Sequence, residues 1–120
     1  MFNQSKARFI SVDEAVQKEI YYYMPKEKTV RQLTDFFSAF SDITRLKILI
    51  CLTVSELCVN DISNLLKMNQ TTVSHQLKLL RDNGTIVSRR DGKVIYYSIS
   101  DEIINNCMLQ GINFLKQGTA

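Results

Sequence analysis

The hydrophobic period of this chain first changes at a glycine. Before Gly84 the apolar residues recur at helical spacing. After it come two short clusters of β-branched and aromatic residues, 85–90 (TIVSRR) and 93–99 (KVIYYSI), on either side of Asp91-Gly92. A switch from period 3.6 to period 2 around an Asp-Gly dipeptide predicts a helical body carrying one β-hairpin. The other breakers are too few for anything else: four Gly and one Pro in 120 residues exclude a turn-rich β-sandwich. That length suits one domain with one core.

The helices can be read from their stripes and stop signals. Residues 12–24 place Ala15, Val16, Ile20 and Tyr23 on one side, with Asp13 and Glu14 against the N-terminal dipole and Pro25 beyond. Residues 29–40 repeat Val30, Leu33, Phe36, Phe37 and Phe40 as a stripe, with the three phenylalanines expected in the core. Ser41 or Asp42 can cap a third helix with Ile43, Leu46, Ile50 and Thr53 on one face. A short helix over 59–67 turns Ile62, Leu65 and Leu66 inward. Asn69 caps a helix over 70–82, and Gly84 ends it. Asp101 and Glu102 open a last helix striped by Ile104, Met108, Gly111, Ile112 and Leu115. The expected order is α-α-α-α-α-β-β-α: mainly α with a small β-hairpin.

The charge is concentrated. Residues 69–93 hold five cations (Lys78, Arg81, Arg89, Arg90 and Lys93) against Asp82 and Asp91, which is the whole net charge of +3. The remaining residues are balanced, ten basic to ten acidic. A local basic segment on a neutral body is the footprint of a polyanion-binding surface.

Two short helices meeting at Met68-Asn69, followed by a charged hairpin, make a helix-turn-helix with a wing. In the second helix Val73, Leu77 and Leu80 form the inner face, while Thr71, Ser74, His75 and Lys78 form another. Small hydroxyls near a helix N-terminus let the backbone approach a major groove and still bond to base edges. Gln70 suits adenine. Lys78 and Arg81 suit phosphates, which set register and not sequence. Arg89, Arg90 and Lys93 sit at the hairpin tip, where cations supply counterion-release affinity.

Four segments then carry a family resemblance: Arg45-Leu46-Lys47-Ile48-Leu49, Glu56-Leu57-Cys58-Val59-Asn60-Asp61-Ile62, Val73-Ser74-His75-Gln76-Leu77-Lys78-Leu79-Leu80, and Gly92-Lys93 before Tyr96-Tyr97-Ser98. In this order and spacing they resemble the ArsR/SmtB family of winged-helix repressors, over roughly residues 30–117. The resemblance implies a cytoplasmic homodimer that reads a pseudo-palindromic double-stranded operator. Its major-groove contacts fall on Gln70, Thr71, Ser74 and His75, and its wing on Arg89, Arg90 and Lys93. The dimer it implies is built on the first and last helices, placing Ile20, Tyr23, Ile104, Met108, Ile112 and Leu115 at the interface. Residues 1–28 then form an arm and dimerisation helix, and 29–117 the DNA-binding domain with its C-terminal dimerisation helix.

The chain departs from the family at its metal sites. One family site takes two thiolates from an ELCVCD segment and another from an N-terminal arm. Here Asn60 stands for the second cysteine, and residues 1–50 contain none. The other site needs an acid, two histidines and a further acid or histidine on the last helix. Asp101 is present, but Ile103, Phe114 and Gln117 occupy the remaining positions, and the only histidine is His75. Too few donors remain for either site, so no metal and no cofactor is expected.

Three cysteines without an export signal suggest reduced thiols in a cytoplasm. Cys51 reads as a small core residue. Cys58, near a helix start where the dipole favours a thiolate, and Cys107, on the last helix, are the candidates for a thiol or soft-metal sensor. The alternative is that they only pack. Glu56 and Asp61 read as surface and capping groups, and the sequence names no inducer. With no glycine-rich phosphate loop and no nucleophile elbow, an enzyme has little to work with. A protein-interaction module on the same scaffold is the alternative from another class. The longest apolar run, Ile48 to Leu52, is far too short to span a bilayer, so no membrane association is expected.

Overall fold

A computed structural model describes residues 10–118. The elements in chain order are α1 (Glu14–Tyr23), α2 (Glu27–Ser38), α3 (Ile43–Val54), β1 (Leu57–Cys58), α4 (Val59–Leu66), α5 (Gln70–Asp82), β2 (Ile86–Asp91), β3 (Val94–Ile99) and α6 (Glu102–Gly118). The chain divides into two compact units between Thr34 and Asp35. The division falls inside α2.

In the first unit, α1 starts where its cap is. The Asp13 carboxylate accepts the Val16 N–H at 3.0 Å, and Met24 leaves the helix in extended conformation just before Pro25. This helix buries no residue. Its Val16, Ile20, Tyr22 and Tyr23 all remain exposed.

In the second unit, α3 is capped by Asp42, whose carboxylate accepts the Arg45 N–H at 2.9 Å. The face it buries carries Ile48, Leu49 and Leu52. Ile43 and Ile50, placed on a different face, are exposed. An unbroken apolar run has no period to say which side faces in. The centre of the core is Ile48, Leu49, Ile62, Val73, Leu77, Leu80 and Ile86. Phe36 and Phe40 pack against it from one side, but Phe37 is exposed, as is Leu65 of α4.

The turn between α4 and α5 reverses through Lys67, held at φ 55°. The N–H groups of Lys67 and Met68 return to the carbonyls of Asn64 and Ser63. That is a Schellman closure with a lysine in the left-handed position usually given to glycine. Two residues on, Asn69 caps α5 by accepting the Thr72 N–H at 3.0 Å. A second Schellman closure ends α5. Gly84, at φ 81°, and Thr85 donate to the carbonyls of Arg81 and Leu80 at 3.1 and 3.0 Å. The Ser100 hydroxyl lies 2.6 and 2.9 Å from the Gly84 and Thr85 carbonyls. This bond ties the far end of the hairpin to the end of α5.

The sheet has three strands in the order β1-β3-β2, all antiparallel. Two residues of β1 extend the expected hairpin, pairing Leu57 with Tyr97 and Cys58 with Tyr96. Asp91 pairs with Val94, so the loop residues are Gly92 and Lys93, one position later than Asp91-Gly92. Gly92 takes φ 62° at the first loop position, the place where a two-residue hairpin turn of type II′ demands glycine.

Candidate nucleic-acid interface

α5 has the two faces that its sequence implies. Val73, Leu77 and Leu80 are fully buried. Gln70, Thr71, Ser74, His75, Lys78 and Arg81 are exposed. Burial of the inner face anchors the helix, so its polar side is presented on a fixed frame.

Beside that side runs an open groove of about 560 Å³, lined by Gln70 and Ser74 of α5, Asn60 of α4, and Lys93, Ile95 and Tyr97 of the hairpin. The Gln70 amide donates to Asn60 Oδ1 at 3.0 Å, so it is drawn toward α4 in this state. Lys78 sits 4.0 Å from Asp82, a loose and exposed pair that leaves its charge available.

The hairpin does not use its cations alike. In register, Arg89 stands opposite Tyr96 and Arg90 opposite Ile95. Strand side chains alternate, so the two arginines project from opposite faces of the sheet. Arg90 shares its face with Ile95 and Tyr97, which line the groove beside α5. Arg89 lies on the other face and is engaged there. Its Nε and one Nη donate to the two Glu56 carboxylate oxygens at 2.8 and 2.6 Å. The guanidinium also stands 4.9 Å from the Tyr96 ring centroid. The hydrogen bond from Arg89 holds the Glu56 carboxyl below the usual glutamate range, and the same pairing pushes the guanidinium higher still. Arg89, expected as a free wing cation, is therefore neutralised in place. Neither Arg90 nor Lys93 has an ion-pair partner among the described residues.

The two candidate sensor cysteines are not brought together. Cys58 lines the groove beside α5, whereas Cys107 lines a separate apolar groove along α6. Asp61 accepts from both the Cys58 N–H and the Cys58 thiol, each at 3.2 Å. Cys51 is half-buried, and burial pushes its thiol up. Among the described residues no three His, Cys, Asp or Glu side chains lie together as a metal-binding group.

The expected interface residues of α6 separate into two sets. Ile104 and Met108, expected at a dimer contact, are buried in the protomer's own core, and Met108 also reaches the groove along α6. Ile112 is half-buried and Leu115 exposed. They line the second groove, about 290 Å³, with Phe37, Phe40, Leu46 and Ile50.

A profile of the arsR family of bacterial regulatory proteins matches residues 42–88, which span α3, α4, α5 and the start of the hairpin. The cadmium resistance transcriptional regulatory protein CadC of Listeria innocua is 41% identical over 86 residues, covering 71% of this chain and 72% of CadC. The chain belongs to the ArsR family. A transcriptional repressor SmtB homolog of Synechocystis is 36% identical over 87 residues, which are 72% of this chain and 66% of that protein. Among solved structures, the homodimeric winged helix-turn-helix DNA-binding domain Mb0332 of Mycobacterium bovis superposes with a TM-score of 0.72. It is 26% identical, and the match covers 81% of this chain and 92% of that domain. As an ArsR-family member the chain is a winged-helix regulatory protein and not an enzyme. Among the described residues no helix is long and apolar enough to cross a membrane.

Proposed function

We propose that the protein is a homodimeric, sequence-specific repressor that lays α5 in the major groove of double-stranded operator DNA, with the hairpin against the adjacent backbone. One observation carries this reading: the exposed polar side of a firmly anchored helix and Lys93 border one groove, and Arg90 shares a hairpin face with Ile95 and Tyr97 of that groove, neither cation having an ion-pair partner among the described residues. Thr71, Ser74, His75 and Gln70 supply base contacts. Lys78, Arg81, Arg90 and Lys93 supply phosphate contacts. Ile112 and Leu115 of α6, with Ile20 and Tyr23 of α1, supply apolar surface for a second copy; the homodimeric state of Mb0332 supports this assembly.

The repressor is released by an inducer other than a metal held in either intact family site. The cadmium of CadC's name does not transfer to a chain with Asn60 beside its one motif cysteine and with Ile103 and Phe114 on α6. A thiol response is the second reading, favoured by the exposure of Cys107 in the α6 groove. A modification there would wedge apart an apolar interface.

Selection from a random duplex library tests the proposal. The expected product is a pseudo-palindrome whose half-sites are centred about 10 bp, one helical turn, or a multiple of it apart. Failure to enrich any duplex would contradict sequence-specific binding. Anisotropy on the selected duplex, with metals, oxidants, persulfides and an alkylating reagent added in turn, then separates the inducers. Unchanged affinity after complete alkylation removes the thiol reading.

A further inference from the structure

Arg89 and Arg90 are neighbours in sequence but not in circumstance. Arg89 is held at three points: both carboxylate oxygens of Glu56 and the face of Tyr96. A bidentate guanidinium–carboxylate pair fixes orientation as well as distance. Glu56 itself is half-buried at the entry to β1, with a side chain 33% exposed. Tyr96 is the shared neighbour, paired with Arg89 on one side and with Cys58 on the other. The contact therefore spans all three strands.

We propose that Arg89 is a positioning residue: clamped by Glu56 and set over Tyr96, it braces the hairpin against the start of β1 and stays off the DNA. This rests on the DNA-binding reading above. Two electrostatic facts argue for it. A carboxylate at 2.6 Å cancels the charge of Arg89, so the pair releases no counterion. Moving Arg89 to a phosphate would also strand the Glu56 carboxylate beside a polyanion, a like-charge contact. Arg90, on the opposite face, carries no such cost. The brace then sets the angle at which Arg90 and Lys93 meet the backbone.

The test is the salt dependence of binding to a fluorescein-labelled random-sequence duplex, using the full chain. Arg90→Ala is expected to flatten the slope of log affinity against log salt by about 0.9 for each phosphate that is no longer neutralised. The double change Arg89→Ala with Glu56→Ala, which removes the pair and strands no carboxylate, is expected to leave the slope unchanged and to weaken binding about two- to fivefold at every salt, the scale of an exposed pair. Glu56→Gln frees a cation and is expected to steepen the slope. Without any substitution, the Arg89 Nε–H resonance should keep its free-state shift when duplex is added.

Equal flattening by that double change and by Arg90→Ala would overturn the proposal while leaving DNA binding intact. So would a slope unmoved by Glu56→Gln, or a shifted Arg89 resonance. A flat slope in the unaltered protein would remove the DNA-binding reading itself.

Discussion

α5 and α6 are both amphipathic helices of the second unit, and they spend their apolar faces differently. α5 places Val73, Leu77 and Leu80 wholly inside and everything on its polar side outside. α6 divides one stripe: Ile104 and Met108 close the protomer core, while Leu115 at 66% exposure, with Ile103, Leu109 and Phe114, stays uncovered. A stripe says that a face is apolar, not whose core it fills. Where the other face is polar, as on α5, the apolar one must be internal. Where apolar residues continue around the helix, as on α6, an apolar surface remains that the protomer's own core does not use.

Four changes probe that contrast. Leu77→Ala should be the most damaging, because it empties a fully buried site under α5. A loss of about 2–5 kcal/mol is expected by urea unfolding, and a loss within the range of surface substitutions would mean α5 is not anchored from below. Leu115→Asp should do the reverse. Self-association should weaken by about 100-fold or more, as when an unpaired charge meets an apolar contact. The protomer's own stability should move by no more than about 0.5 kcal/mol. Sedimentation checks the first outcome, and an unchanged dimer would put the second copy elsewhere. Ser74→Ala, on the polar side of α5, should leave folding intact and cost about 1–3 kcal/mol of preference between the selected duplex and its base variants. Loss spread evenly over all sequences would make Ser74 a backbone contact.

The smallest effect is expected from acid. Arg89 lowers the Glu56 carboxyl in the folded state, so the pair stabilises fully above the unfolded glutamate pKa of about 4.3. That contribution is lost as pH falls through the lower folded value. Glu56→Gln should therefore loosen the hairpin amides near neutral pH, and the difference from the unaltered protein should vanish in strong acid. Hydrogen exchange of the β2–β3 amides measures it; a difference that persists in acid would assign the effect to something other than the ion pair.

What could be read from the residues was local. Asp13, Asp42 and Asn69 cap helices within three residues of themselves, and Gly84 closes α5 through bonds to Arg81. Such signals lie inside a short window, and the helix starts and the α5 terminus came out where they point. The polar side of α5 was legible for the same reason, since Thr71, Ser74, His75 and Lys78 interrupt an otherwise apolar period. Illegible features depended on distant partners. β1 is only Leu57 and Cys58, and it exists because β3 is beside it. Glu56 lies 33 residues from Arg89, so nothing near either residue announces their pairing. The five-residue apolar run in α3 gave no phase, so the buried face of Ile48, Leu49 and Leu52 was not legible there.

The claim on which the rest depends is that α5 and the groove-side face of the hairpin together meet a duplex. Amide chemical-shift mapping during titration with the selected duplex tests it most directly. Changes should gather at residues 69–78 and around Arg90 and Lys93, with those at the exposed end of α6 small. Shifts concentrated on Leu109, Phe114 and Leu115, with α5 silent, would contradict the account.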